Sequence, residues 1–175
     1  EDGCPDAPPG VIAFDAESSE VYVPETRKIE FELDSADLTP AAQLAVAEVA
    51  RVLKEHPEIG RVEIEGHASS KGDPAYNLML TSKRSVSVGR ALVKQGVDVN
   101  KLVAVGYGEF CPAVDRGDNV DEAKNRRVLL KAVQVKGVWQ SVPRGCWRAQ
   151  TRVALPRWCI WRRVLRRAGS GGLRC

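Results

Sequence analysis

The chain has 175 residues, 43% of them hydrophobic and 28% charged, the profile of an ordinary globular domain with extensions. No stretch approaches the ~20 apolar residues that would span a bilayer. The net charge of +3 hides a split: nine arginines and no Lys, Asp or Glu follow Val138, while the remainder holds 17 basic and 23 acidic side chains, a net of −6. An acidic body lacks the basic face that phosphates require, which argues against nucleic acid as a partner.

In chain order, residues 1–10 read EDGCPDAPPG, a turn-rich and non-helical opening. The first residue is Glu1, so a leader or upstream region is expected ahead of it, and any membrane anchor is expected there too. Val21-Tyr22-Val23 is followed by Lys28 to Leu33, where Ile29, Phe31 and Leu33 alternate with charged residues as in a half-buried strand. Thr39-Pro40 supplies an N-cap and first-turn proline. Val46, Val49, Ala50 and Leu53 then form one face of a helix that stops before Pro57. Arg61 to Glu65 alternates again and ends at Gly66. A second helix is predicted from Asp73-Pro74 to Gln95, closed by Gly96. Leu102 to Val105 suits an interior strand, Asp121 to Arg126 one or two helical turns, and Val128 to Val135 a last strand. Strands alternating with helices of this length predict a two-layer α/β domain with a mixed sheet and the helices on one face.

Asn77, Leu80, Arg84, Val88 and Ala91 recur at helical spacing, so Arg84 shares a mostly apolar stripe and should point toward the body of the domain. A guanidinium there needs an anion, because an unpaired buried charge costs several kcal/mol. Periodicity by itself favours an internal ion pair with Asp34 or Asp37. His67 stands in the loop Gly66 to Gly72 beside Ser69 and Ser70, but no G-x-S-x-G turn is present and nothing marks an acid to orient its ring. A hydrolytic site is therefore not expected, and no catalytic residue is assigned. His56 and His67 without clustered carboxylates are too few for a metal site, and no cofactor motif occurs. The five cysteines, Cys4, Cys111, Cys146, Cys159 and Cys175, match no zinc spacing, and their odd number leaves at least one unpaired within the chain.

These residues resemble the OmpA-like peptidoglycan-binding domain of outer-membrane porins, the peptidoglycan-associated lipoprotein and flagellar-motor stator proteins. The resemblance runs from about Lys28 to Val135. It rests on Ile29 to Leu38, on Val62 to His67, on Asn77, Leu80, Arg84, Val88 and Leu92 in the second helix, on Gly106-Tyr107-Gly108-Glu109 with Pro112, and on Asn125 to Val128. Several ordered blocks at the right separations make the match specific. The resemblance implies non-covalent binding of peptidoglycan, with Arg84 pairing a carboxylate of the peptide stem, commonly at diaminopimelate. A planar guanidinium suits that role because it donates two charge-assisted hydrogen bonds. The family's loop reads Gly-His-Thr-Asp, its aspartate gripping the diaminopimelate ammonium; here Ser69 stands at that position. Asp34, Asp37 and Asp73 are the candidate replacements, and Asn77 is expected to hold the loop. The site set is thus Arg84, Ser69, Asn77, Asp34, Asp37 and Asp73. The expected location is the periplasmic face of the outer membrane or the cell envelope, with contact to membrane only through regions beyond these residues. The rival readings are an OmpA-like module that has lost wall affinity and serves protein–protein contacts, and an enzyme acting on the wall.

The expected division is a lead-in with a first strand at 1–27, the OmpA-like domain at 28–137, and an extension at 138–175. The opening EDGCPD resembles the end of a thrombospondin type 3 calcium-binding repeat. One fragment offers too few of the roughly six to eight oxygens that Ca²⁺ takes, so a linker remnant is expected. The extension holds all four tryptophans. Trp158, Trp161, Leu165 and Ala168 share a helical face, as in a basic segment lying on an anionic membrane. Its abrupt change of composition fits better with out-of-frame translation of a GC-rich gene.

Overall fold

The structure is a computed structural model that describes residues 11–140. The calcium-repeat resemblance, the tryptophan face of the extension and Cys4, Cys146, Cys159 and Cys175 all lie outside those residues. Strand β1 (Ala13–Asp15) and strand β2 (Glu20–Tyr22) form a hairpin. Its turn is held by Asp15, which accepts from the Glu17 amide at 2.9 Å and the Ser18 hydroxyl at 2.6 Å. Helix α1 spans Pro40–Glu55, strand β3 Ile59–His67, helix α2 Pro74–Lys94 and strand β4 Leu102–Gly108. Strand β5 (Val128–Val135) and the short β6 (Val138–Trp139) complete the chain. The sheet order is β1-β2-β5-β3-β4, with β6 also on β5; β3 and β4 run parallel and the other pairs antiparallel. This is the expected two-layer α/β fold with a mixed sheet.

Thr39 caps α1 by accepting from the Ala42 amide at 3.2 Å, and Pro40 sits in the first turn where its missing N–H costs nothing. The expected face of Val46, Val49, Ala50 and Leu53 is buried, joined by Ala42, Ala45 and Val52. It packs with Val88 and Leu92 of α2 against Val62 and Ile64 of β3 and Leu130 and Ala132 of β5 in one core. Ile12 and Val21 belong to the same core, so residues ahead of Lys28 are built into the fold.

Three expectations need correction. Lys28 to Leu33 forms no strand; it is an extended segment with a single bridge, Phe31 to Leu38. The chain reverses at Asp34, whose φ of 51° is left-handed. The Glu32 amide bonds the Asp37 carbonyl at 2.9 Å and the Thr39 amide the Glu30 carbonyl at 3.2 Å. The backbone groups are thus satisfied locally, and Leu33 is left 92% exposed. Leu102 to Val105 lies not inside the sheet but on its edge, in β4. It reads as apolar because α2 lies against it. The face of α2 turned to the sheet is Asn77, Thr81, Ser85, Val88 and Leu92, so Leu80, Arg84 and Ala91 are half-buried on its flank.

The last correction has a steric cause. The first half of α2 rests on glycines of β3 and β4, which admit the helix backbone where a larger residue would hold it off. A Cβ at Gly66 would stand 2.6 Å from the Ser85 hydroxyl and the Thr81 carbonyl, and one at Gly106 2.3 Å from the Ser82 amide nitrogen. At such range the inward residues must be small, and their hydroxyls must be bonded. Ser85 donates to the Val105 carbonyl at 2.9 Å, and Thr81 accepts from the Gly108 amide at 3.0 Å.

Gly106→Ala is therefore expected to lose about 3 kcal/mol of stability or more, since backbone and not a flexible side chain blocks the new methyl. Gly89→Ala, where the Cβ would meet only the Ile64 side chain at 3.4 Å, should be neutral or gain up to about 1 kcal/mol from helix propensity. Urea unfolding followed by circular dichroism separates the two.

Candidate functional site

Several loops converge on α2. Asp73 caps the helix, its carboxylate accepting from the Tyr76 amide at 2.7 Å. One turn on, the buried Asn77 ties the neighbourhood together. Its Nδ2 donates to the Glu109 carboxylate at 2.8 Å, to the Lys71 carbonyl at 3.1 Å and more loosely to the Ser69 carbonyl at 3.4 Å. The expected loop-holding part of Asn77 is what its geometry provides. Ser70 bonds the carbonyls of Gly117 and Val120 and accepts from the Val120 amide, adding the 115–120 loop. Asn125 accepts from the amides of Ala113 and Val114 and donates to the Val114 carbonyl, fixing the chain after β4. The 121–126 segment ahead of β5 makes one 3-10 turn, Ala123–Asn125.

Arg84 is half-buried on the flank of α2. Its Nε donates to the Ser35 carbonyl at 2.9 Å, and its guanidinium carbon stands 4.9 Å from the centre of the Phe31 ring. The stem and orientation of the side chain are thus set by the 32–37 loop. No carboxylate lies within ion-pair distance, and its two terminal nitrogens bond nothing among the described residues. The internal ion pair that periodicity favoured is absent. Burial lowers the pKa of the guanidinium, against the opposing influence of Tyr76 and Asp34, and Arg126 lowers it further. The group remains charged at any ordinary pH.

The other expected site residues fall into two groups. Asp34 and Asp37 are exposed on the loop that receives Arg84. Asp37 accepts from the Ser35 hydroxyl at 2.8 Å, while Asp34 makes no side-chain bond. Ser69 is 6% exposed and lies with Asn77, its hydroxyl unpaired among the described residues. No hydrogen bond joins Arg84 to the segment from Ser69 to Asp73. Phe31 and the Ser35 carbonyl, which orient Arg84, were not singled out in the sequence; Glu109 lay inside a quoted motif without a part assigned to it.

On the sheet face away from the helices, Glu65 and His67 are 3% and 4% exposed. His67 Nε2 is 3.2 Å from Glu65 and its ring stacks on Tyr107, with centroids 5.3 Å apart and planes at 8°. Nδ1 is buried without a partner among the described residues. The proton therefore sits on Nε2, and Nδ1 presents a bare lone pair. Lys131 lies 3.4 Å from Glu65, and the half-buried Arg127 donates to the Cys111 carbonyl at 3.2 Å. Cys111 itself is disulfide-bonded. Among the described residues no three His, Cys, Asp or Glu side chains are grouped to hold a metal, and no helix is long and apolar enough to cross a membrane.

The OmpA family model matches residues 30–126. This chain belongs to the OmpA family. The peptidoglycan-associated lipoprotein of Pseudomonas aeruginosa is 42% identical over 101 residues, 58% of this chain and 59% of that protein. Outer membrane porin F of Pseudomonas fluorescens is 36% identical over 100 residues, 57% of this chain and 30% of the porin. The chain thus spans only part of these relatives. The crystal structure of the peptidoglycan-associated lipoprotein from Burkholderia pseudomallei, 33% identical, superposes with a TM-score of 0.52 over 60% of this chain and 88% of its own. The periplasmic domain of Helicobacter pylori MotB, at 20% identity and a TM-score of 0.51, shares the fold.

In this OmpA-family domain the Glu65–His67 pair makes stability depend on pH. Burial lowers the His67 pKa below its ordinary 6.5 more than the Glu65 hydrogen bond raises it. Burial pushes the Glu65 carboxyl up, but the bonds and charges of His67 and Lys131 more than offset this and leave it below its ordinary 4.5. Both groups bind protons more readily in the unfolded chain, so both destabilise the fold as pH falls. The His67 contribution is complete above about pH 6.5 and is lost below it; that of Glu65 follows below about 4.5. Urea midpoints should drop between pH 7.5 and 5, and His67→Gln should flatten that interval.

Proposed function

We propose that this chain holds peptidoglycan non-covalently through its peptide stem, with Arg84 receiving a carboxylate of diaminopimelate, and that it anchors an outer-membrane or envelope protein to the cell wall. The observation that carries this reading is the state of Arg84. It is half-buried, oriented by the Ser35 carbonyl and the Phe31 ring, and has both terminal nitrogens unpaired among the described residues. A desolvated guanidinium with its bidentate edge open is a receptor for a carboxylate. The names of the relatives, a peptidoglycan-associated lipoprotein and an outer membrane porin, supply the ligand and the compartment. The location that follows is the periplasmic face of the outer membrane.

On this reading the wall-binding part is 28–137, with the β1–β2 hairpin completing its sheet, and 138–175 takes no part. The chain acts as a binding module and not as an enzyme. His67 is engaged by Glu65, stacked on Tyr107 and bonded to no serine among the described residues, so it activates no nucleophile there. Purified sacculi incubated with the protein should release no fragments.

Arg84→Ala removes the carboxylate receptor but no core volume. It should abolish sedimentation with sacculi, a loss of about 2–5 kcal/mol for a desolvated pair, and leave the melting temperature within a few degrees. Undiminished co-sedimentation of the variant would place the carboxylate elsewhere and overturn the assignment.

A further inference from the structure

Strand β3 ends at His67, and the chain passes at once into residues 68–73. That loop brings the Ser69 and Lys71 carbonyls to Asn77 and sets Asp73 at the start of α2. The ladder with β4 slips between Gly66 and His67, which sets the strand end apart from the regular pairing before it. Two backbone bonds secure the end there. The His67 amide donates to the Arg127 carbonyl at 3.0 Å, and the Ala68 amide to the Gly108 carbonyl at 2.8 Å. The remaining hold is the His67 ring, whose side chain is 1% exposed.

Every strand packed beside that ring presents a group to its surroundings. On β3, Glu65 Oε2 stands 3.2 Å from Nε2; on β4, the Tyr107 ring stacks on the imidazole and its hydroxyl donates to Glu63 at 2.7 Å. On β5, Lys131 lies 3.4 Å from Glu65 and 3.7 Å from Glu20 of β2. Ahead of β5, Arg127 donates to the carbonyl of the disulfide-bonded Cys111. Burial opposes a charge on the imidazole most strongly, Arg127 and Lys131 add to it, and Glu65 favours the charge without prevailing.

The neutral ring already gives its one proton to Glu65 through Nε2. A second proton goes to Nδ1, which is buried and has no acceptor among the described residues. A buried N–H without an acceptor and an uncompensated charge near Arg127 are both costly, and the ring escapes both only by leaving its seat. Its departure pulls on the strand end, and the loop that follows moves with it.

We propose that His67 is a positioning residue for wall binding: its neutral ring holds residues 68–73 against Asn77, and acid that protonates it releases this loop and weakens the hold on peptidoglycan. This rests on the wall-binding reading given above and adds its regulation. The ligand's own charges are nearly constant over the interval concerned, because stem carboxylates titrate at about 3–4 and amines at about 8 or above. The bound state requires neutral His67, so ligand lowers the pH at which the ring titrates, and affinity falls as pH falls.

The test pairs two measurements on the full chain between pH 7.5 and 5, with circular dichroism confirming the folded state at each point. Co-sedimentation with sacculi should weaken by up to about tenfold per pH unit once His67 titrates. His67→Gln, uncharged throughout, should give a flat profile whatever its affinity at pH 7.5. In the second measurement, nuclear magnetic resonance follows the imidazole signals of wild type with and without the tripeptide L-Ala-γ-D-Glu-meso-diaminopimelate. The His67 midpoint should move down on binding, with His56, at the end of α1, as the reference signal.

The proposal is overturned by wild-type affinity that stays constant while His67 titrates, or by the same decline in His67→Gln. A midpoint that ligand leaves unmoved or raises also overturns it, as does global unfolding before the His67 signal shifts. In the first three cases, binding that Arg84→Ala abolishes at pH 7.5 leaves the reading of Arg84 standing. Acid-sensitive binding that survives Arg84→Ala overturns that reading instead. The midpoint shift needs no variant, so a poorly folded His67→Gln does not shield the idea.

Discussion

The close seating of α2 on β3 and β4 governs most of what lies above it. The helix backbone at Thr81 and Ser82 approaches the strands so nearly that only glycine fits at Gly66 and Gly106. At that distance no apolar side chain interdigitates, and the contact is made by hydroxyls that bond both helix and strand. The second half of the same helix packs conventionally, through Val88 and Leu92 into the core. One helix thus has two kinds of seat. The apolar half supplies burial energy, and the glycine half sets height and rotation.

Rotation is what matters for the site. With Asn77, Thr81 and Ser85 turned to the sheet, Arg84 falls on the flank, close enough to be partly desolvated and far enough out to keep its terminal nitrogens unpaired. Asn77 is carried inward to where the 68–73 loop and Glu109 meet. The same geometry explains the polarity of this end of the molecule. A buried amide and an open guanidinium are tolerated because each is held by backbone carbonyls, the acceptors that loops have in excess. On the opposite face, burial holds the His67 pKa down while His67 and Lys131 hold that of Glu65 down, so protonation of either destabilises the fold.

Legibility in the sequence followed the kind of force involved. Helix α1, with its Thr39 cap and aliphatic face, was plain because its burial is purely apolar and its period is undisturbed. The mixed sheet followed from strands and helices in alternation. The stripe of α2 was displaced by one residue, because hydropathy counts Leu80 and Ala91 as inward and Thr81 and Ser85 as outward, whereas the glycines of the facing strands reverse that order. Those glycines were visible, but their partner was not. The strand expected at Lys28 to Leu33 failed because alternation there ends in a loop whose hydrogen bonds are local. Periodicity singled out Arg84 and resemblance supplied its ligand, yet periodicity paired it with Asp34 or Asp37, since spacing along a chain says nothing about a carbonyl such as Ser35 arriving from elsewhere. Glu109 was hidden for the same reason: only folding brings it to Asn77.

The most direct measurement is a nuclear magnetic resonance titration of ¹⁵N-labelled protein with the diaminopimelate tripeptide. The result expected is a saturable shift of the Arg84 Nε–H resonance, together with amides of the 32–37 and 68–73 loops and the first turns of α2, while the β1–β2 hairpin stays still. Saturable shifts confined to the hairpin or to the Glu65–His67 face, with Arg84 unmoved, would contradict Arg84 as the receptor for the wall.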